Sequence, residues 1–95
     1  MTDHPERAVR ARITGRVQGV SFRAWTQTQA RALGLEGWVR NESDGAVTAL
    51  FGGDPAAVSR MVEALHDGPR WARVDSVETV PAAVTDIPPG FRITR

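Results

Sequence analysis

Hydrophobic and polar residues alternate strictly near the start of the chain. Val9, Ala11 and Ile13 are interleaved with Arg10, Arg12 and Thr14, and a period of two with one polar face predicts a half-buried strand over Ala8–Thr14. The period changes at Phe22. Phe22, Thr26, Ala30 and Leu33 fall on one helical stripe bordered by Trp25 and Gln29, which predicts a helix from Phe22 to Leu33, ended by Gly34. Leu35–Arg40 reads as extended, since Trp38 and Val39 are strong strand formers. Asn41–Gly45 is a turn, and Ala46–Phe51 returns as a strand with Val47, Ala49 and Phe51 on one face, making an antiparallel hairpin. Gly52-Gly53 is expected to break that strand. Asp54 and Pro55 then supply a cap and a first helical residue, Val58, Met61, Val62 and Leu65 the apolar stripe, and Gly68-Pro69 the stop. Val74–Val80 follows as a strand with imperfect alternation. Pro81–Gly90 is a loop rich in proline and alanine, and Phe91–Ile93 is a short last strand. The order predicts an α+β, ferredoxin-like sandwich: a split β-α-β (βαββαβ) arrangement with two helices on one face of an antiparallel sheet.

Composition narrows the class without naming a function. The chain has 95 residues, enough for one modest core, read as a loose tail over 1–7 and a single domain over 8–95. No apolar run approaches the ~20 residues of a membrane span. The polar start Met1–Glu6 is unlike a secretory signal, so a cytosolic protein is expected, without membrane partners. There is no cysteine, which removes disulfides, a thiol nucleophile and a usual zinc ligand. The net charge of +1 argues against a dedicated nucleic-acid binder. Its distribution says more. Residues 1–40 carry seven arginines and three acids, whereas residues 41–95 carry five arginines and eight acids, and no acid occurs between Glu6 and Glu36. A positive field over that window would attract a small anion.

Inside the window lies Gly15-Arg16-Val17-Gln18-Gly19-Val20-Ser21-Phe22-Arg23. Two readings stand for this stretch. One is an ordinary strand-to-helix connection. The other is an anion cradle, in which backbone N–H groups turn inward, glycine permits close approach and the helix start adds partial positive charge. It has neither the Lys-Ser/Thr of a Walker loop nor the spacing of a dinucleotide fingerprint. The two helix starts differ in charge: Asp54 places a carboxylate at the second, which repels anions, while the first has neutral Ser21, expected to cap by accepting an N–H from Arg23 or Ala24. Arg23 is the leading contact for a charged ligand, because its planar fork of donors matches phosphate or carboxylate oxygens. Arg16 is as ready to face solvent.

Asn41 also carries two readings, a turn residue capping its own backbone or a carboxamide that fixes a water through one donor and one acceptor. Gln18 has the same capacity on a stretch expected to be mobile. His4 lies in the tail, and His66 suits a helix C-terminus. No carboxylate pair is spaced for general acid–base work. Trp25, Trp38 and Trp71 read as core or core-edge packing rather than a base-stacking platform.

The chain resembles the acylphosphatase family. The residues that carry the resemblance are Gly15-Arg16-Val17-Gln18-Gly19-Val20-x-Phe22-Arg23, then Ala32-Leu33-Gly34-Leu35-x-Gly37-Trp38-Val39-x-Asn41, then Asp44-Gly45-x-Val47. The resemblance implies a ferredoxin-like fold and hydrolysis of acyl phosphates to a carboxylate and inorganic phosphate, with no metal and no cofactor. It also implies that Gly15–Val20 cradles the phosphoryl group, that Arg23 grips its oxygens and that Asn41 orients the attacking water. Ser21 stands where the family varies. The expected partners are then a small-molecule acyl phosphate and inorganic phosphate, met by a monomer. Two other readings share the fold. One is a carbamoyl-phosphate-handling module like that at the N-terminus of hydrogenase-maturation carbamoyltransferases, although the chain closing after its last strand fits a stand-alone hydrolase better. The other is a non-catalytic anion- or RNA-binding module, which would want exposed aromatics on central strands, where this sequence has mostly arginine, threonine and small aliphatics.

Overall fold

The computed structural model describes residues 6–94. Its elements run β1 (Arg7–Arg16), α1 (Phe22–Ala32), β2 (Glu36–Asn41), β3 (Val47–Gly53), α2 (Pro55–Asp67), β4 (Arg73–Pro81), one 3₁₀ turn (Val84–Asp86) and β5 (Phe91–Thr94). The sheet order is β4-β1-β3-β2-β5. The first four strands in sequence pair antiparallel, which is the expected split β-α-β arrangement. The last strand lies parallel to β2, with Gly37 against Phe91 and Val39 against Ile93, so the sheet is mixed rather than wholly antiparallel.

The alternation in β1 does what the pattern demands. Val9, Ala11 and Ile13 are buried, together with Val39, Val47, Ala49 and Phe51 of the neighbouring strands. The helices bury Phe22, Thr26 and Ala30 from α1 and Val58, Met61 and Leu65 from α2 against that layer. Phe91 completes it, with its ring stacked on Phe51 at 5.5 Å between centroids. Each Val, Ile, Leu, Met or Phe side chain fully removed from water contributes about 1.5–3 kcal/mol, which makes this one continuous core the main reason that the two helices share a face.

Several boundaries move from where the local pattern put them, and pairing explains each shift. After a register shift at Thr14/Gly15, Gly15 and Arg16 continue β1 and pair with Val74 and Arg73 of β4. Gly15 has φ +123°, and a Cβ there would collide with the Arg73 carbonyl. Gly52 and Gly53 do not break β3. They pair with Ala8 and Arg7, and the space over Gly52 is filled by Ile87. Arg7, expected in the tail, is the first residue of β1, and the rest of that tail lies largely outside the described residues. Trp71 is not core packing: it is 72% exposed, with the Arg70 guanidinium 5.1 Å from its ring. Trp25 packs at the core edge as expected, and Trp38 is half-buried on the open face, flanked by Arg40 at 4.6 Å and Arg10 at 5.7 Å.

The β2–β3 turn is fastened by charge. Arg12 pairs with Asp44, and Arg40 Nε lies 2.8 Å from Glu42 Oε2. These partners hold both carboxyls below their usual range: Glu42 through the Arg40 hydrogen bond, Asp44 through Arg12 and then the Ala46 N–H. A carboxyl depressed in the folded state stabilises the fold above its unfolded value of about 4. That contribution is lost as pH falls through the folded value. The melting temperature is therefore expected to drop on acidification below about pH 4, and the drop should be shallower in an Arg12→Gln/Arg40→Gln variant. Melting curves between neutral and acid pH measure both slopes, and equal slopes would remove these pairs from the acid response.

Candidate active site

The residues leaving β1 form the connection to α1, and their backbone is set by two left-handed positions in sequence. Gly19 has φ +74° and Ser21 has φ +63° with ψ +26°. A non-glycine residue there is uncommon and costs of order 1–3 kcal/mol, a strain concentrated at functional sites. This conformation also overturns the expected cap. Ser21 makes no side-chain hydrogen bond to the helix start, because its left-handed backbone replaces the extended geometry from which a serine caps. At α2, by contrast, Asp54 Oδ2 accepts from Ala56 N at 3.1 Å and Ala57 N at 3.2 Å. Among the described residues, no side chain therefore caps the partial positive charge of α1, while Asp54 caps that of α2.

Arg23 stands in the first turn of α1, half-buried, and no acid among the described residues forms an ion pair with it. Across a cleft of about 400 Å³ lies Asn41, the last residue of β2. Its Oδ1 is buried, and no donor among the described residues reaches it. An orphaned buried carbonyl costs about 1–3 kcal/mol, so a turn residue capping its own backbone would not leave it so. That capping is done by Asp44, whose Oδ1 accepts from Ala46 N at 3.1 Å. Asn41 is thus a turn neighbour with an unused acceptor beside the cleft.

The other singled-out residues divide. Val17 and Gly19 line the cleft with Arg23 and Asn41, whereas Gly15, Arg16, Gln18 and Val20 stand outside its lining. Arg16 is exposed at the end of β1, and Val20 packs against the core. The Gln18 side chain makes two hydrogen bonds to the β2–β3 turn. The structure adds Ile93, a wall of the cleft that is 39% exposed. No sequence pattern pointed to it, since only the parallel pairing of β5 on β2 brings it beside Asn41. His66 sits in the last turn of α2, away from the cleft lining. Among the described residues, no three His, Asp or Glu side chains gather as a metal would require. Among the described residues, no carboxylate or imidazole lines the cleft.

The open face of the sheet holds a second hollow, lined by Arg10, Arg12, Arg40, Glu42 and Glu78 among others. Arg12 and Arg40 are paired there with acids. It has neither unneutralised helix N–H groups nor an orphaned acceptor. The cleft at α1 is the candidate.

Comparison with known proteins agrees in sequence and in shape. The acylphosphatase family model matches residues 9–93. The chain belongs to the acylphosphatase family. It is 55% identical over 94 residues to an acylphosphatase of Rhizobium etli, covering 99% of each chain. An acylphosphatase structure from Coxiella burnetii superposes with a TM-score of 0.90 at 33% identity, over 99% of this chain and 100% of that one. One from Bacillus subtilis gives 0.88 at 32% identity, over 94% and 99%. The acylphosphatase match runs through the connection, Arg23, Asn41 and Ile93 alike. Among the described residues, no helix is long and apolar enough to cross a membrane.

Proposed function

We propose that this acylphosphatase, acting through residues 8–95 as a cytosolic monomer, hydrolyses small-molecule acyl phosphates without a metal or cofactor. The phosphoryl group is held by backbone N–H groups of the Gly15–Val20 stretch and the start of α1, Arg23 grips its oxygens, and Asn41 orients the attacking water. What supports the reading is one juxtaposition: an arginine with no acid partner among the described residues and an asparagine whose buried amide oxygen has no donor among them line one cleft at the start of α1.

The chemistry asks for little more. Phosphoryl transfer needs positioning and charge stabilisation rather than covalent help from the protein. A carboxylate leaving group, with a conjugate-acid pKa of about 4, departs without a proton from the enzyme. The water oxygen bonds to phosphorus, the bridging P–O bond breaks with its electrons going to the carboxylate, and both water hydrogens end on inorganic phosphate. The substrate's own phosphoryl oxygen is the proton acceptor, which suits a cleft whose described lining holds no carboxylate or imidazole.

The test is turnover of benzoyl phosphate by purified protein with a chelator present, in water enriched in oxygen-18. Expected are benzoate and phosphate in equal amounts, rates unchanged by the chelator, and the label in phosphate. No turnover would overturn the reading. Label in benzoate would place the attack at the acyl carbon, and loss of rate with chelator would restore a metal.

A further inference from the structure

Gln18 stands in the middle of the phosphate stretch, yet its carboxamide is committed elsewhere. Nε2 donates to the Glu42 carbonyl oxygen at 2.8 Å and to the Ala46 carbonyl oxygen at 2.9 Å. An amide nitrogen has two protons, so both are used, and only the NH₂ end can serve two carbonyls. The two acceptors are opposite sides of the neck of the β2–β3 turn, where Glu42 N also donates to Ala46 O at 2.8 Å and Gly45 N to Glu42 O at 3.2 Å. Asn41 is the residue just before that neck and pairs with Val47 just after it. Among the described residues, no other side-chain hydrogen bond joins residues 17–21 to residues 42–46.

We infer that Gln18 is a positioning residue for hydrolysis: it clamps the neck of the turn to the phosphate stretch and so fixes Asn41 relative to phosphorus. The inference rests on the acyl phosphate reading above. The stretch that holds phosphate and the strand end that holds water belong to different elements, 24 and 28 positions apart at the two bonds. Water must sit in line with the leaving oxygen, and a misplacement of about 1 Å costs on the order of a hundredfold in rate. The Asn41 oxygen has no partner among the described residues to hold it. Its placement therefore depends on where the backbone at the neck of the turn is held. Gln18 holds that neck from the phosphate side, so the two halves of the site move as one.

The test is a double-mutant cycle on the full chain, with Gln18→Ala and the equally long Gln18→Met, each alone and combined with Asn41→Ala. In the wild-type background, kcat for benzoyl phosphate should fall about tenfold or more, while competitive inhibition by inorganic phosphate changes less than about threefold. In the Asn41→Ala background the same substitutions should change kcat less than about twofold, because there is no carboxamide left to place. Equal losses in both backgrounds would overturn the inference. So would phosphate affinity falling in step with kcat, which would make Gln18 a cradle residue. A Gln18→Met chain that melts below the assay temperature would also count against it, since the tether would then hold the fold rather than the water. An inert wild type would instead overturn the functional reading itself, whereas an active wild type with additive losses overturns only the tether.

Discussion

Arg23→Ala is expected to lower kcat/KM for benzoyl phosphate by at least about a thousandfold, or roughly 4 kcal/mol of transition-state stabilisation. Inorganic phosphate should lose affinity in the same variant, because the guanidinium fork contacts oxygens present in substrate and product alike. The fold should not suffer. Arg23 has no ion pair among the described residues, so its removal strands no buried acid. Arg23→Lys should recover part of the loss, keeping the charge but not the planar pair of donors. Kinetics with phosphate as a competitive inhibitor separate these outcomes. A folded Arg23→Ala chain with unchanged phosphate affinity would remove Arg23 from the grip.

Arg23 was legible in the sequence for a physical reason. An acid-free window and an anionic cap on only the second helix are properties of the linear chain, and neither needs a partner from elsewhere in the fold. The same holds for the β-α-β order, because each period reports which face of an element is buried. What the chain could not show were relations between distant elements. Gly15 reads as a turn residue until β4 is placed beside it, and then its missing Cβ becomes a demand of strand pairing. Gly52-Gly53 reads as a breaker, yet pairing with β1 outweighs the weak local preference of glycine. Ser21 reads as the cap of its helix, and only the folded chain shows the left-handed backbone that denies it that role.

The open choice at Asn41 shows most clearly what tertiary structure adds. Sequence allowed either a turn cap or a water-directing carboxamide, and the turn cap is the commoner use of an asparagine before Asp-Gly. With Asp44 supplying that cap and Oδ1 unpaired among the described residues, activity should fall without a fall in stability when the side chain is removed. Asn41→Ala is expected to cut kcat by about a hundredfold to a thousandfold, the scale of losing one polar group that positions the reaction. Inorganic phosphate should bind nearly as before, since Arg23 and the backbone cradle are untouched. Thermal stability should hold or rise, because an unpartnered buried oxygen that costs about 1–3 kcal/mol is removed, against the smaller loss of packing at the cleft edge. Melting curves, kcat and phosphate inhibition measured on one preparation decide it. A variant with full activity would remove Asn41 from the mechanism. One that loses activity only as it unfolds would return Asn41 to the turn.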